Sequence, residues 1–187
     1  MSVQLKSRLI TAEEFECFES QERYDLIEGE LVEMPPMPGA NHGATTYSLG
    51  FEVGFFVRSN DLGVCFTAET RFTIEYNPDT SIGPDFAFVA KARVTFPLPD
   101  GFLRLAPDLV LEVRSPSDTR LEAEAKMQRW IGAGVRLGWE LNMRNRVLTI
   151  YRPNEPTRTV DINGTIGGED VLPGFTLSMR RLFPDAP

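Results

Sequence analysis

Three residues in this chain have types and positions suited to hydrolytic chemistry: Asp85, Glu112 and Lys126. Glu112 lies inside Leu109-Val110-Leu111-Glu112-Val113, an aliphatic run between Pro107 and Pro116 that reads as a buried strand. An uncompensated acid there is costly. Alternation along a strand puts Val110, Glu112 and Arg114 on one face and Leu109, Leu111 and Val113 on the other. The compensating charge is therefore Arg114 or a bound cation. The stretch Gly83-Pro84-Asp85-Phe86-Ala87-Phe88-Val89-Ala90 repeats the pattern, with Asp85 at the head of an apolar strand. Two strands that each deliver one acid suit a divalent ion, since Mg²⁺ needs only one or two carboxylates plus water. Such an ion polarises a phosphoryl oxygen and activates water, while Lys126 supplies a cation for the charge that builds up during phosphodiester hydrolysis. Each residue also has a plainer reading. Asp85 can be a Pro-Asp turn, Glu112 a core acid paired with Arg114, and Lys126 a surface partner of Glu122 at i, i+4.

Two further groups bear on the same chemistry. His42, the sole histidine, stands at the start of an aromatic helix, as a ligand, a general base or simply a helix-start residue. Asp25, Glu28, Glu30 and Glu33 make an acidic hairpin that is either a solvated face or the source of one more metal ligand. Other chemistries are excluded. Asn163-Gly164-Thr165-Ile166-Gly167-Gly168 lacks the Lys-Ser/Thr of a phosphate-binding loop, and the sequence holds no Gly-x-Ser-x-Gly elbow. Cys17 and Cys65 form no Cys-x-x-Cys pair and read as plain thiols.

The elements that must position these residues follow from periodicity and caps. Thr11-Ala12-Glu13-Glu14 is a capping box opening a short helix to about Glu19. Tyr24 to Met34 is a hairpin turning at Glu28-Gly29, followed by a loop at Pro35-Pro36-Met37-Pro38-Gly39. Asn41 caps a helix to about Ser59 whose wide apolar arc, including Tyr47, Phe51 and Phe55, predicts that it is largely buried. Gly50 and Gly54 allow a close neighbour on that helix. Val64 to Glu69 and Arg71 to Tyr76 read as a strand pair or one bent strand, and Lys91 to Ala106 as loop with a helical turn. Thr119-Arg120-Leu121-Glu122 caps the helix that carries Lys126, which ends at Gly132 and Gly134. Strands follow at Leu137 to Leu141 and Val147 to Tyr151, with a short strand near Thr159 to Ile162 and a helical turn capped by Ser178. This order predicts an α/β (α+β) fold on one mixed sheet, with the site on its exposed edge.

A chain of 187 residues with 42% hydrophobic content and 13 Phe is sized for a single domain, 1–187. Within it, 1–40 reads as an N-terminal helix and hairpin, 41–152 as the core and 153–187 as a C-terminal extension. The net charge of −8 argues against a generic nucleic-acid coat protein, although clustered carboxylates are what a metal-dependent nuclease needs. No apolar run is long enough to span a membrane and Met1-Ser2-Val3-Gln4-Leu5-Lys6 is not a signal peptide, which predicts a cytoplasmic protein.

Taken together, Tyr24-Asp25-Leu26-Ile27-Glu28-Gly29-Glu30-Leu31-Val32, His42, Pro84-Asp85, Pro107 to Val113, Ser115-Pro116-Ser117, Lys126, Gly134-Val135, Trp139 and Leu172-Pro173-Gly174-Phe175 resemble the Uma2 family of restriction-endonuclease-like proteins. That resemblance implies the PD-(D/E)xK nuclease fold, a central mixed sheet flanked by helices, with DNA cleavage dependent on Mg²⁺ or Mn²⁺. Pro84-Asp85 matches the first motif and Glu112 the acid of the second, making Asp85 and Glu112 the implied metal ligands. Arg114 stands where the lysine is common, and its high pKa suits it poorly to proton movement. Similar proteins place the lysine on the following helix, which here is Lys126. A double-strand cutter further implies a homodimer. Two alternatives stand beside this reading: a non-catalytic binding or assembly protein that keeps the fold, and a metal-dependent hydrolase of a small phosphoester.

Overall fold

The computed structural model describes residues 8–35, 39–115 and 118–183. Helix α1 (Ala12–Glu16) opens on the capping box at Thr11 and is shorter than the sequence suggests. Strands β1 (Tyr24–Ile27) and β2 (Glu30–Glu33) form the hairpin, with Glu28 and Gly29 both at positive φ as a tight turn requires. Helix α2 (Ala40–Ser59) precedes β3 (Gly63–Thr67), β4 (Phe72–Glu75), β5 (Thr80–Ile82) and β6 (Phe86–Ala90). Strand β7 (Leu109–Arg114), helix α3 (Arg120–Gly132) and strand β8 (Leu137–Asn142) make a parallel crossover, and β9 (Val147–Tyr151) returns antiparallel. Three more strands, β10 (Arg158–Val160), β11 (Thr165–Gly168) and β12 (Leu172–Ser178), precede a 3₁₀ turn at Met179–Leu182.

The expected mixed sheet flanked by helices is the centre of the molecule, six strands in the order β10-β9-β8-β7-β6-β3. Strand β7 lies inside it, antiparallel to β6 and parallel to β8. Leu109, Leu111 and Val113 turn to one face, where Leu49, Val53 and Val57 of α2 cover them. Val110 and, from β6, Ala87 and Val89 turn to the other, under Met127 and Trp130 of α3. Gly138 leaves room for the Met127 side chain of α3, whose methyl would lie 2.4 Å from a Cβ there. A second sheet, β2-β1-β5-β4, stands beside the first, and β11-β12 form a separate hairpin.

Several expectations need correction. Strands β3 and β4 are not a pair, because β3 edges the central sheet while β4 belongs to the second. The β11-β12 hairpin was hidden behind the glycines at 164, 167 and 168, which weaken a strand signal. Its Ile166, Leu172, Phe175 and Leu177 join the main core, so residues beyond 153 complete that core and supply β10 to the sheet. Gly39 rather than Asn41 occupies the N-cap of α2. That helix is not largely buried, since Tyr47, Phe51 and Phe55 are 71%, 56% and 65% exposed. Its buried stripe is the narrower Leu49, Val53 and Val57, with Gly50 seated against the Phe86 ring. The loop expected at Pro36-Met37-Pro38, and Pro116-Ser117 of the motif after β7, lie outside the described residues.

Candidate active site

The β6-β7 register ends with Phe86 paired to Leu111, so Asp85, the next residue back, comes to the end of β7 that carries Glu112 and Val113. Glu112 shares the α3 face with Val110, while Asp85, just before β6, turns its carboxylate to the Val113 amide and to His42 of α2. The site is therefore not on an exposed sheet edge, as the sequence suggested. It sits between two inner strands, where the carboxylates leave the core at the β6 start and the β7 end.

Glu112 is 8% exposed, and both its oxygens are engaged. The Lys126 ammonium donates to Oε2 at 2.7 Å and the Trp130 indole N–H donates to Oε1 at 2.9 Å. These donors are one helical turn apart on α3, whose start is set by the Thr119 capping box. Lys126 thus points inward. Glu122, its alternative partner, accepts instead from the Thr119 backbone and hydroxyl. Arg114 is not the partner of Glu112 either. Its guanidinium donates to the Asp118 carbonyl at 3.1 and 3.3 Å and fixes the turn after β7.

Asp85 accepts from the Val113 amide at 2.6 Å and lies 3.3 Å from His42 Nε2. His42 is buried in the first turn of α2, and its Nε2 is 2.7 Å from the Val113 carbonyl. A carbonyl only accepts, so Nε2 carries the proton and Nδ1, 3.5 Å from the Thr46 hydroxyl, is the free acceptor in the neutral ring. His42 is therefore more than a helix start: it ties α2 to the end of β7 beside Asp85. Of the four hairpin acids, Asp25 alone turns inward. Arg71 donates to it at 2.7 Å, and its charge is felt at Lys126. Glu28, Glu30 and Glu33 are exposed, which is the solvated-face reading.

The electrostatics follow from this crowding. Burial pushes the Glu112 carboxyl up to about 7, with the Asp85 charge adding to the rise and Lys126 and Trp130 opposing it. Burial alone would lower the Lys126 pKa, but Glu112, Asp25 and Asp85 outweigh it, and the ammonium is held above its ordinary range. The hydrogen bond to Asp85 raises His42, against the opposing effect of burial. Lys126 is thus a fixed cation rather than a base, and its side chain is one-third exposed.

Sequence reasoning missed Glu140. It pairs in register with Glu112 across β7-β8, is buried, and accepts from the Tyr151 hydroxyl at 2.7 Å. The signal was present, an acid between Trp139 and Leu141 in an apolar strand, the same pattern that exposes Glu112. Among the described residues no group of three or more His, Cys, Asp or Glu is arranged to hold a metal ion. The residues would suit a hard cation with few protein ligands: two carboxylates, Asp85 and Glu112, the second of them buried and raised further by the charge of the first.

Among the described residues no helix is long and apolar enough to cross a membrane. No curated protein matches the sequence. A solved structure described as "a putative nuclease belonging to DUF820 from Anabaena variabilis ATCC 29413" superposes with a TM-score of 0.79 at 23% identity, over 94% of this chain and 98% of that one. At that identity the match shows a shared fold alone. The family model Uma2, described as "Putative restriction endonuclease", matches residues 12–180, and the chain belongs to that family.

Proposed function

We propose that this protein is a Mg²⁺- or Mn²⁺-dependent DNA endonuclease that acts as a homodimer in the cytoplasm, one site for each strand. The observation that carries the reading is the meeting of Asp85, Glu112 and Lys126 at the ends of two inner strands, with Glu112 pushed up to about 7 by burial and by the Asp85 charge. Asp85 and Glu112 would hold the cation, which supplies Lewis acidity and an activated water when bound. Trp130 fixes the Glu112 rotamer, while His42 and the Val113 amide fix that of Asp85. Lys126, kept as an ammonium, stabilises the charge that gathers on the scissile phosphate and orients water.

One observation favours a second reading, a binding or assembly protein that retains the fold. Both Glu112 oxygens already have donors, so Lys126 and Trp130 form a self-sufficient cluster with it. Plasmid cleavage decides between the two. With Mg²⁺ or Mn²⁺ the wild type should nick and linearise plasmid, EDTA should stop it, and Asp85→Asn, Glu112→Gln and Lys126→Met should each lower the rate at least about 100-fold. Wild type that leaves DNA intact in both metals selects the binding reading.

A further inference from the structure

We infer that the outer face of α2 is the surface on which two copies of this chain pair, antiparallel about a two-fold axis at Phe51. Tyr47, Phe51 and Phe55 repeat at i, i+4, i+8, with ring centroids 6.1 and 6.2 Å apart, and form one continuous exposed aromatic ridge. Beside it Ala44, Tyr47, Phe51, Gly54 and Arg58 follow the alternating three- and four-residue spacing of a helix-pairing seam. A Cβ added to Gly54 would meet nothing within 4 Å, so the ridge is flanked by a hollow into which a ring can settle.

Self-pairing is what this face fits. With Phe51 on the axis, Phe51 meets its own copy, each Tyr47 meets Phe55 of the partner subunit, and Gly54 lies across from Ser48, so bulky residues sit together between small ones. No charge is buried by this arrangement. The one acid of the helix, Glu52, is half-buried and paired with Arg181, and the two copies of Arg58 lie about 21 Å apart along the helices, whereas a parallel pair would set them side by side. The area is that of a weak, concentration-dependent pair. At 71%, 56% and 65% exposure the three rings offer about 400 Å² per protomer, about 800 Å² per pair, or roughly half of what a standard specific interface buries. A ridge of this size matches the largest apolar patch of an ordinary monomer, a patch that is often functional. Antiparallel pairing at Phe51 also sets the two His42 residues, and with them the two Asp85-Glu112 sites, about 27 Å apart along the helix axes. The inference rests on this surface and not on the proposed catalysis.

Sedimentation of the full chain across micromolar concentrations tests it. Wild type should be a dimer, and Phe51→Glu, an exposed position whose change leaves the core intact, should be a folded monomer with at least about 100-fold weaker association. A second measurement fixes the axis. In a Cys17→Ser background, Phe51→Cys should oxidise to a covalent dimer, while Leu121→Cys, more exposed still on α3, should not; Cys65, its thiol pushed up to about 12 by burial, stays inert. A monomeric wild type, or a Phe51→Glu variant that still dimerises, overturns the inference. So does a monomer in which Phe51→Glu abolishes binding to single-stranded DNA, which would assign the ridge to base stacking. A monomer that cleaves plasmid fails this inference alone, and a dimer that cleaves nothing fails the catalytic reading alone.

Discussion

Two buried acids flank the same strand and live in opposite electrostatic worlds. Asp108, the residue before β7, is 1% exposed and meets Arg93 at 2.9 Å, Arg136 at 3.5 Å and the Ala90 amide at 2.8 Å. Its own carbonyl accepts from the Arg136 and Leu137 amides, so it clamps the start of β7 to the end of β6 and the start of β8. Glu112, near the far end of β7, has one cation and one indole donor, and it faces a second acid, Asp85. One end of the strand has two permanent cations for one carboxylate; the other has one, Lys126, and a titrating imidazole, His42, for two. The surplus of partners makes Asp108 an acid that holds the fold together, and the smaller supply of positive charge at Glu112 is what the proposed cation would make good.

Substitutions at the two ends should therefore act in opposite directions. Asp108→Ala removes the acceptor of a buried amide and several charge-assisted bonds, while Arg93 and Arg136, both partly exposed, recover water. It should lower stability by about 3 kcal/mol in urea denaturation. A cost below about 1 kcal/mol would erase the contrast.

Glu112→Gln should do the reverse in metal-free protein. The folded-state pKa is raised from 4.5 to about 7, so its contribution to stability is fully present below about 4.5 and is lost as pH rises through about 7. Above that window the folded state carries a penalty of about 3 kcal/mol relative to the unfolded chain. Gln keeps an acceptor for Trp130 but loses the Lys126 ion pair, which leaves a net gain of about 1 to 2 kcal/mol near pH 8. Urea midpoints near pH 5 and pH 8 check it: the wild type should lose more stability between them than the variant does.

Lys126→Met sharpens the same point with a smaller effect. The ammonium is the strongest influence opposing the rise at Glu112, so its removal should move the pH window of stability loss upward, by about one pH unit or more. A window that stays put would mean that Lys126 does not act on Glu112. Thr119→Ala should have the smallest effect. It removes the cap of the helix that carries Lys126 and Trp130, costs about 1 kcal/mol, and should leave the pH window unchanged.

Residues with a strong local signal were legible from sequence. The apolar runs of β6 and β7 announced Asp85 and Glu112, and the Thr119 box announced the helix that delivers Lys126. What stayed hidden depends on long-range partners. Arg114 shares a face with Glu112 and so looked like its counterion, but the turn that Asp118 makes after β7 draws it away. No spacing rule carries Trp130 to Glu112, since that bond exists only once α3 lies across the sheet. Likewise, the wide apolar arc of α2 predicted burial because periodicity says which residues share a stripe but not which stripes meet a neighbour. Glu140 was overlooked although its pattern matched that of Glu112.

The central claim is that the deficit at Glu112 exists for a divalent cation. The direct test is the thermal midpoint of wild type and Glu112→Gln near pH 8, each without metal and with millimolar Mg²⁺. Binding to the folded state alone must raise the wild-type midpoint, and Glu112→Gln, higher than wild type without metal, should respond little. A wild type indifferent to Mg²⁺, together with a Glu112→Gln variant that melts well below it, would contradict the account and leave Glu112, like Asp108, an acid that only holds the fold together.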